Sequence, residues 1–213
     1  GAVDMASTLQ VDGAITSSSA MNINVTGGSA LTLKSTDAGS TNAPVLNLTR
    51  DSSSPADGDS IGIISFNADN DAGESTRFAR IDNQISDASD GTEDALMFIT
   101  TMVNGAELSR ITLQPTVTVF NEESADIDFR VESNTNANML FVDAGNDRIG
   151  INQGTPLQPL HMTDADFAFA RFQTTAVSRT GMDVGQHQDG RGQINLRDAD
   201  VFTISTGDSE RAR

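Results

Sequence analysis

Cysteine, tryptophan and tyrosine are absent from this chain of 213 residues, and histidine occurs only at His161 and His187. Without cysteine there is no disulfide framework and no thiolate metal site. Two distant histidines fall short of the three or four ligands of a zinc centre, so no metal or cofactor is expected. A nucleophilic triad would need a histidine beside an activated serine. The serines here are scattered through turn-like segments, with no Gly-x-Ser-x-Gly elbow and no phosphate-cradling glycine loop. Basic residues are scarce: 13 Lys and Arg stand against 30 Asp and Glu, a net charge of −17. That balance argues against nucleic acid, whose binding rests on neutralised phosphates, and against an anionic membrane surface. No apolar run approaches the roughly 20 residues of a membrane span, so membrane insertion is not expected. No basic-then-apolar signal opens the chain. Paired carboxylates can cleave glycosides from distant positions, but the aromatic platforms of sugar sites are reduced here to ten Phe. The chain is not expected to be an enzyme.

What is present is β-patterned. Asp126-Ile127-Asp128-Phe129-Arg130-Val131-Glu132 alternates apolar and charged residues with a period of two, the mark of a strand with one buried face. Met139–Asp143, an Ala144-Gly145-Asn146-Asp147 turn and Arg148–Ile151 follow as a second strand-turn-strand unit. No convincing helix emerges, since Ala165–Arg171 is too short to stand alone and its Phe167 and Phe169 have strand spacing. Hydrophobic residues make up 37% of the chain, too few for an easy dense core. A chain that buries its apolar faces against copies of itself needs less core of its own, which points to an oligomer.

Composition divides the chain into four segments. Residues 1–43 are rich in Ser, Thr, Ala, Asn and Gly, with short alternating pieces at Leu9–Val11, Ile23–Thr26 and Leu31–Lys34. They read as a flexible linker or, preferably, as a slender strand-and-turn stalk. Residues 44–115 read as a first β module, with strands expected at Val45–Thr49, Ile61–Phe66, Phe78–Ile81, Ala95–Thr101 and Leu108–Leu113. Residues 116–159 read as a connecting β stalk, closed by Pro156 and Pro159. Residues 160–213 read as a second module, with strands at Ala168–Gln173, Met182–Val184, Gln193–Leu196 and Val201–Ser205.

The two modules read as diverged repeats. Leu96–Thr101 matches Val201–Thr206, Gly105 matches Gly207, and Glu107-Leu108-Ser109-Arg110 matches Glu210-Arg211-Ala212-Arg213. Internal repetition marks a linear array of neighbouring units. On this alignment the chain stops in mid-strand, and it begins with Gly1 rather than Met, so a longer or processed molecule is expected. The loop Asn67–Glu74 has the alternating oxygens a calcium ion favours, but lacks the Gly and bidentate Glu of a calcium loop and reads as a hydrophilic hairpin loop. Asp143–Asp147 reads as a turn, and His187 as part of a polar turn at Gly185–Gly190.

The run Phe141–Asn152, continued by Gly154-Thr155-Pro156-Leu157-Gln158-Pro159-Leu160-His161-Met162, resembles a recurring connector of bacteriophage tail-fibre proteins, in which Val/Ile-Gly-Ile-Gly leads to Thr-x-Pro and Leu-x-Val. Asn152 replaces the second connector Gly, and Pro159 replaces a Lys or small residue. Leu9–Ser17 is similar to the stalk segments of the same fibres, and Ile61–Phe66 to their repeat domains. The resemblance implies an all-β, elongated, intertwined homotrimer. In it, short-strand stalk segments with β-helical shaft character would alternate with small β-sandwich or β-prism modules. It implies location in the virion, contact with other tail or capsid proteins, and a part in host attachment. About a threefold axis, Ile127, Phe129, Val131, Leu140 and Val142 are the candidate shared core. A capsid fibre or decoration protein is the nearest alternative, with a cellular trimeric adhesin beyond it. A module that binds a host surface glycan through loops 67–74 and 185–192 is a different reading, and a monomeric β-sandwich fragment a third.

Overall fold

The computed structural model describes residues 11–212 apart from 13, 42, 174, 176–180, 198–203 and 207–208. Every regular element among them is a β-strand. The chain divides into two units, 1–49 and 50–213. In the first, the described residues form no strand, and all are exposed. The strands expected at Ile23–Thr26, Leu31–Lys34 and Val45–Thr49 are therefore not formed, because no neighbouring strand of this chain accepts their backbone hydrogen bonds. Leu9 and Gln10 lie outside the described residues.

The second unit opens with an antiparallel meander. Strands β1 (Ser60–Asp69), β2 (Ser75–Asp87), β3 (Asp94–Val103), β4 (Ala106–Leu113) and β5 (Thr118–Phe120) lie side by side in chain order. Four of the strands expected in the first module fall inside these elements. Strand β5 carries the sheet on to Phe120, past the expected boundary at 115. The 67–74 loop closes the β1–β2 hairpin, where the Asn70 Oδ1 accepts the backbone N–H groups of Ala72 and Glu74. The β3–β4 hairpin turns on Asn104-Gly105, with φ values of 48° and 82°. Two positive φ angles in a two-residue loop are what a type I′ turn requires.

A second sheet of four short strands follows: β6 (Phe129–Val131), β7 (Leu140–Asp143), β8 (Arg148–Ile151) and β9 (Leu160–Met162). The first three pair antiparallel and β9 joins β8 in parallel. Leu160–Met162 thus completes the sheet of the connecting segment instead of opening the next module. Asn152 occupies left-handed backbone at φ 56°, a conformation that Gly or Asn adopts readily. Its side chain accepts from Asn136 and donates to the Thr163 carbonyl, which ties the strand ends together.

The third sheet is antiparallel, with β10 (Phe167–Phe172), β11 (Met182–His187) and β12 (Gly192–Leu196). A last hairpin joins β13 (Ile204–Thr206) to β14 (Ser209–Ala212); residues 201–203 of the strand expected there lie outside the described residues. This hairpin repeats a detail of β3–β4. A bulge falls between Ile99 and Thr100 in one and between Ile204 and Ser205 in the other, at aligned positions. The bulged residues opposite are Arg110 and Arg211, so the register aligns Arg110 with Arg211 rather than Arg213.

The sheets are meanders, and no β-helix is found among the described residues. Most telling is the burial. Among the described residues no strand buries an apolar side chain; Pro156 in the connector is buried, as are the polar Thr100, Thr112 and Asp183.

Candidate functional site: uncovered sheet faces and a polar groove

Strand register sorts the side chains of each sheet onto two faces. In the five-stranded sheet, Ile64, Ile81, Ile99, Ile111 and Phe120 stand opposite one another in one row across all five strands. Phe66, Met97 and Leu113 continue the same face. Ile99 is 36% exposed and Phe120 50%. The adjoining row on the other face, Ile63, Asp82, Phe98, Thr112 and Val119, is mixed. Arg77 on β2 reaches Glu107 on β4 with two bonds of 2.7 and 2.8 Å. That bidentate contact holds the Glu107 carboxyl below its ordinary value.

In the four-stranded sheet one face is wholly apolar. One row is Phe129, Val142, Ile149 and Leu160, and the next on the same face is Val131, Leu140, Ile151 and Met162. Four of the candidate core residues, Phe129, Val131, Leu140 and Val142, therefore share one sheet face. Four more apolar residues lie on it that the alternation in 126–132 did not reveal. The opposite face carries Arg130, Phe141, Gly150 and His161. Ile127, the fifth candidate, precedes β6 and lines a crevice with Ile111, Phe120 and Phe129 between the two sheets. The Phe120 and Phe129 rings meet there at 4.9 Å.

Gly150 fixes how the connector folds under this face. A Cβ at Gly150 would collide with the carbonyl oxygen of Gln153. Arg148 donates to the Pro156 carbonyl at 2.8 Å, and Pro156 is buried. The Ile-Gly-Ile run and the Thr-x-Pro run are thus two sides of one tight chain reversal.

The third sheet is two-sided in a different way. Ala168, Ala170, Phe172, Met182, Val184, Ile194 and Leu196 form one apolar face. The other face is a groove of 620 Å³. Phe167, Phe169 and Arg171 come to it from β10, Asp183 and His187 from β11, and Gln193 and Asn195 from β12, with Arg191 and Arg197 flanking β12. Arg171 donates to Asp183 at 2.7 Å and Arg197 donates to it at 3.0 Å. These bonds, Arg171's first, bring the Asp183 carboxyl from its ordinary 3.8 down to about 2 against the opposing effect of burial. The Phe167 and Phe169 rings stack, 6.0 Å apart and 16° from parallel, and His187 meets Phe167 edge-on at 4.9 Å. Gly185 makes room for this shelf, since a Cβ there would lie 2.5 Å from the Phe169 ring.

His187 was expected in a polar turn; it is the last residue of β11, half-buried against Phe167. The 185–192 loop expected in a glycan reading contributes His187 and Arg191 to the groove; sequence reasoning missed the rest of it, although its signal is a period of two in each strand: Phe-x-Phe-x-Arg, Asp-x-Gly-x-His and Arg-x-Gln-x-Asn-x-Arg. The 67–74 loop and the groove are separate features. Among the described residues no cluster of His, Asp or Glu is arranged to hold a metal ion. His161 accepts the Leu157 N–H through Nδ1 and belongs to the connector.

No family model matches the chain, and no curated protein matches it in sequence.

Proposed function

We propose that this chain is a structural, non-enzymatic protein of a bacteriophage virion: a segment of tail-fibre shaft that works as a homotrimer and contributes to host attachment. One observation carries the reading. All three larger sheets present an apolar face, yet among the described residues no strand buries an apolar side chain. Folding has to offset roughly 1–2 kcal/mol of backbone entropy per ordered residue. Apolar burial, at about 25 cal/mol per Å², is the main term available to do so. Copies of the same chain supply the missing surface, with the Phe129–Leu160 face, the Ile64–Phe120 face and the Ala168–Leu196 face turned inward. The trimeric state and the tail location come from the resemblance of the Phe141–Met162 connector to tail-fibre proteins. An intertwined trimer also covers strand edges that would otherwise recruit other chains.

Immunogold microscopy of virions with antibody raised to this chain tests the location. Gold along tail fibres is the expected result. Gold on the head would move the chain to a capsid fibre or decoration protein, and unlabelled virions would contradict a virion role. A second reading, a glycan-binding module, is favoured by the groove on the third sheet, and it is compatible with a place on a fibre.

A further inference from the structure

We infer that the groove on the β10–β12 sheet is a binding site for a carboxylate-bearing saccharide, such as an oligouronate. It deepens the attachment role proposed above, because that reading turns the Ala168–Leu196 face inward and leaves the groove facing out. The groove has the two parts that such a ligand needs. The first is an apolar shelf, the Phe167 ring, which is 47% exposed and stacks nearly parallel on Phe169 with 6.0 Å between ring centroids. An exposed ring held by a second gives the C–H face of a sugar the platform that the missing Trp and Tyr would otherwise supply.

The second part is a set of planar polar groups around the shelf. The amides of Gln193 and Asn195 and the guanidinium groups of Arg171, Arg191 and Arg197 all line the groove. Guanidinium and amide groups present paired donors at the spacing of a carboxylate or of adjacent hydroxyls. Among the described residues three guanidinium groups meet two carboxylates here, Asp183 and Asp189, an excess of cation in a chain of net charge −17. Asp183 is 2% exposed and is bonded by both Arg171 and Arg197. It anchors the two arginines without neutralising them both. The excess positive charge sits on the Arg171–Arg197 pair that shares Asp183, and Arg191, paired to Asp189 at 3.3 Å, is the most exposed of the three and the one placed to turn to a ligand carboxylate.

The test is calorimetric titration of the full chain with tetragalacturonate. A neutral galactose tetramer, sodium acetate and a tetraglutamate peptide serve as comparators. R191Q and F167A are the variants, because neither breaks the Asp183 pairs. Tetragalacturonate is expected to bind at least tenfold more tightly than the neutral tetramer. Removing a charge-assisted hydrogen bond or a stacking surface should weaken it by about tenfold in each variant. The inference is overturned if tetragalacturonate does not bind, if both variants bind it unchanged, or if the neutral tetramer binds equally. Equal binding of tetraglutamate, or displacement by acetate at matched carboxylate concentration, would overturn it too. Light scattering on each sample separates the two readings. Binding by a single-chain species would overturn the assembly and leave the groove standing, whereas an assembled species that does not bind would do the reverse.

Discussion

At the residue scale, two side-chain environments make sharp demands. Asp183 has a carboxyl depressed to about 2, chiefly by the bond from Arg171 and then by that from Arg197. A depressed acid contributes stability that is fully present above its unfolded value, near 3.8, and is lost as the pH falls through its folded value. The third sheet is therefore expected to loosen between about pH 4 and pH 2. D183N should flatten that acid limb, as read from hydrogen exchange of the β10–β12 amides. An acid limb unchanged in D183N would show that the pairing does not hold the sheet. Gly150 makes the second demand. G150A drives a Cβ into the Gln153 carbonyl, and displacing backbone in a tight reversal should cost about 1–3 kcal/mol. A lowered melting temperature is the expected outcome, and an unchanged one would mean that the connector can relax. Gly154 offers a contrast, since the atoms nearest a Cβ there belong to the end of the Asn138 side chain.

At the scale of the element, the strands of the second unit were legible because their alternation and their turns agree. Ile61–Phe66, Phe78–Ile81, Ala95–Thr101 and Leu108–Leu113 all lie in the meander, and the Asn104-Gly105 turn sets the pairing of the last two. Residues 23–34 and 45–49 alternate as well but form no strand. Alternation states which face a strand would bury, whereas a ladder also needs a neighbour, and pairing is not written in a single segment. For the same reason the sequence pointed to Phe129, Val131, Leu140 and Val142 but not to Ile149, Ile151, Leu160 and Met162. The last four join that face only through the β7–β8–β9 register. Beyond His187 and Arg191 of the 185–192 loop, the groove escaped notice because its strand residues, such as Phe167 and Asp183, are brought together by cross-strand pairing.

The uncovered faces allow a direct test at this scale. Ile99 sits in the middle of the Ile64–Phe120 row and is 36% exposed in the single chain. Were that face open to water in solution, I99K would alter stability by no more than about 0.5 kcal/mol. Against the face of another copy, it would bury an unpaired ammonium at a cost of several kcal/mol. I99K is therefore expected to dissociate the assembly into 22.4 kDa chains in sedimentation velocity. A variant that sediments like the parent would mean that this face lies outside the contact.

At the scale of the whole molecule, composition and structure bear on one question. A chain with 37% hydrophobic residues and no buried apolar core among its described residues has its apolar surface in three sheet faces and along the strandless described residues of 11–49. The charge of −17 keeps copies apart unless a specific contact outweighs the repulsion, so the association should tighten as salt screens it. The decisive measurement is the absolute mass in solution by light scattering, with the sedimentation coefficient from the same sample. A mass of three times 22.4 kDa with a high frictional ratio is the expected result. A compact particle of 22.4 kDa would contradict the assembly, and with it the shaft.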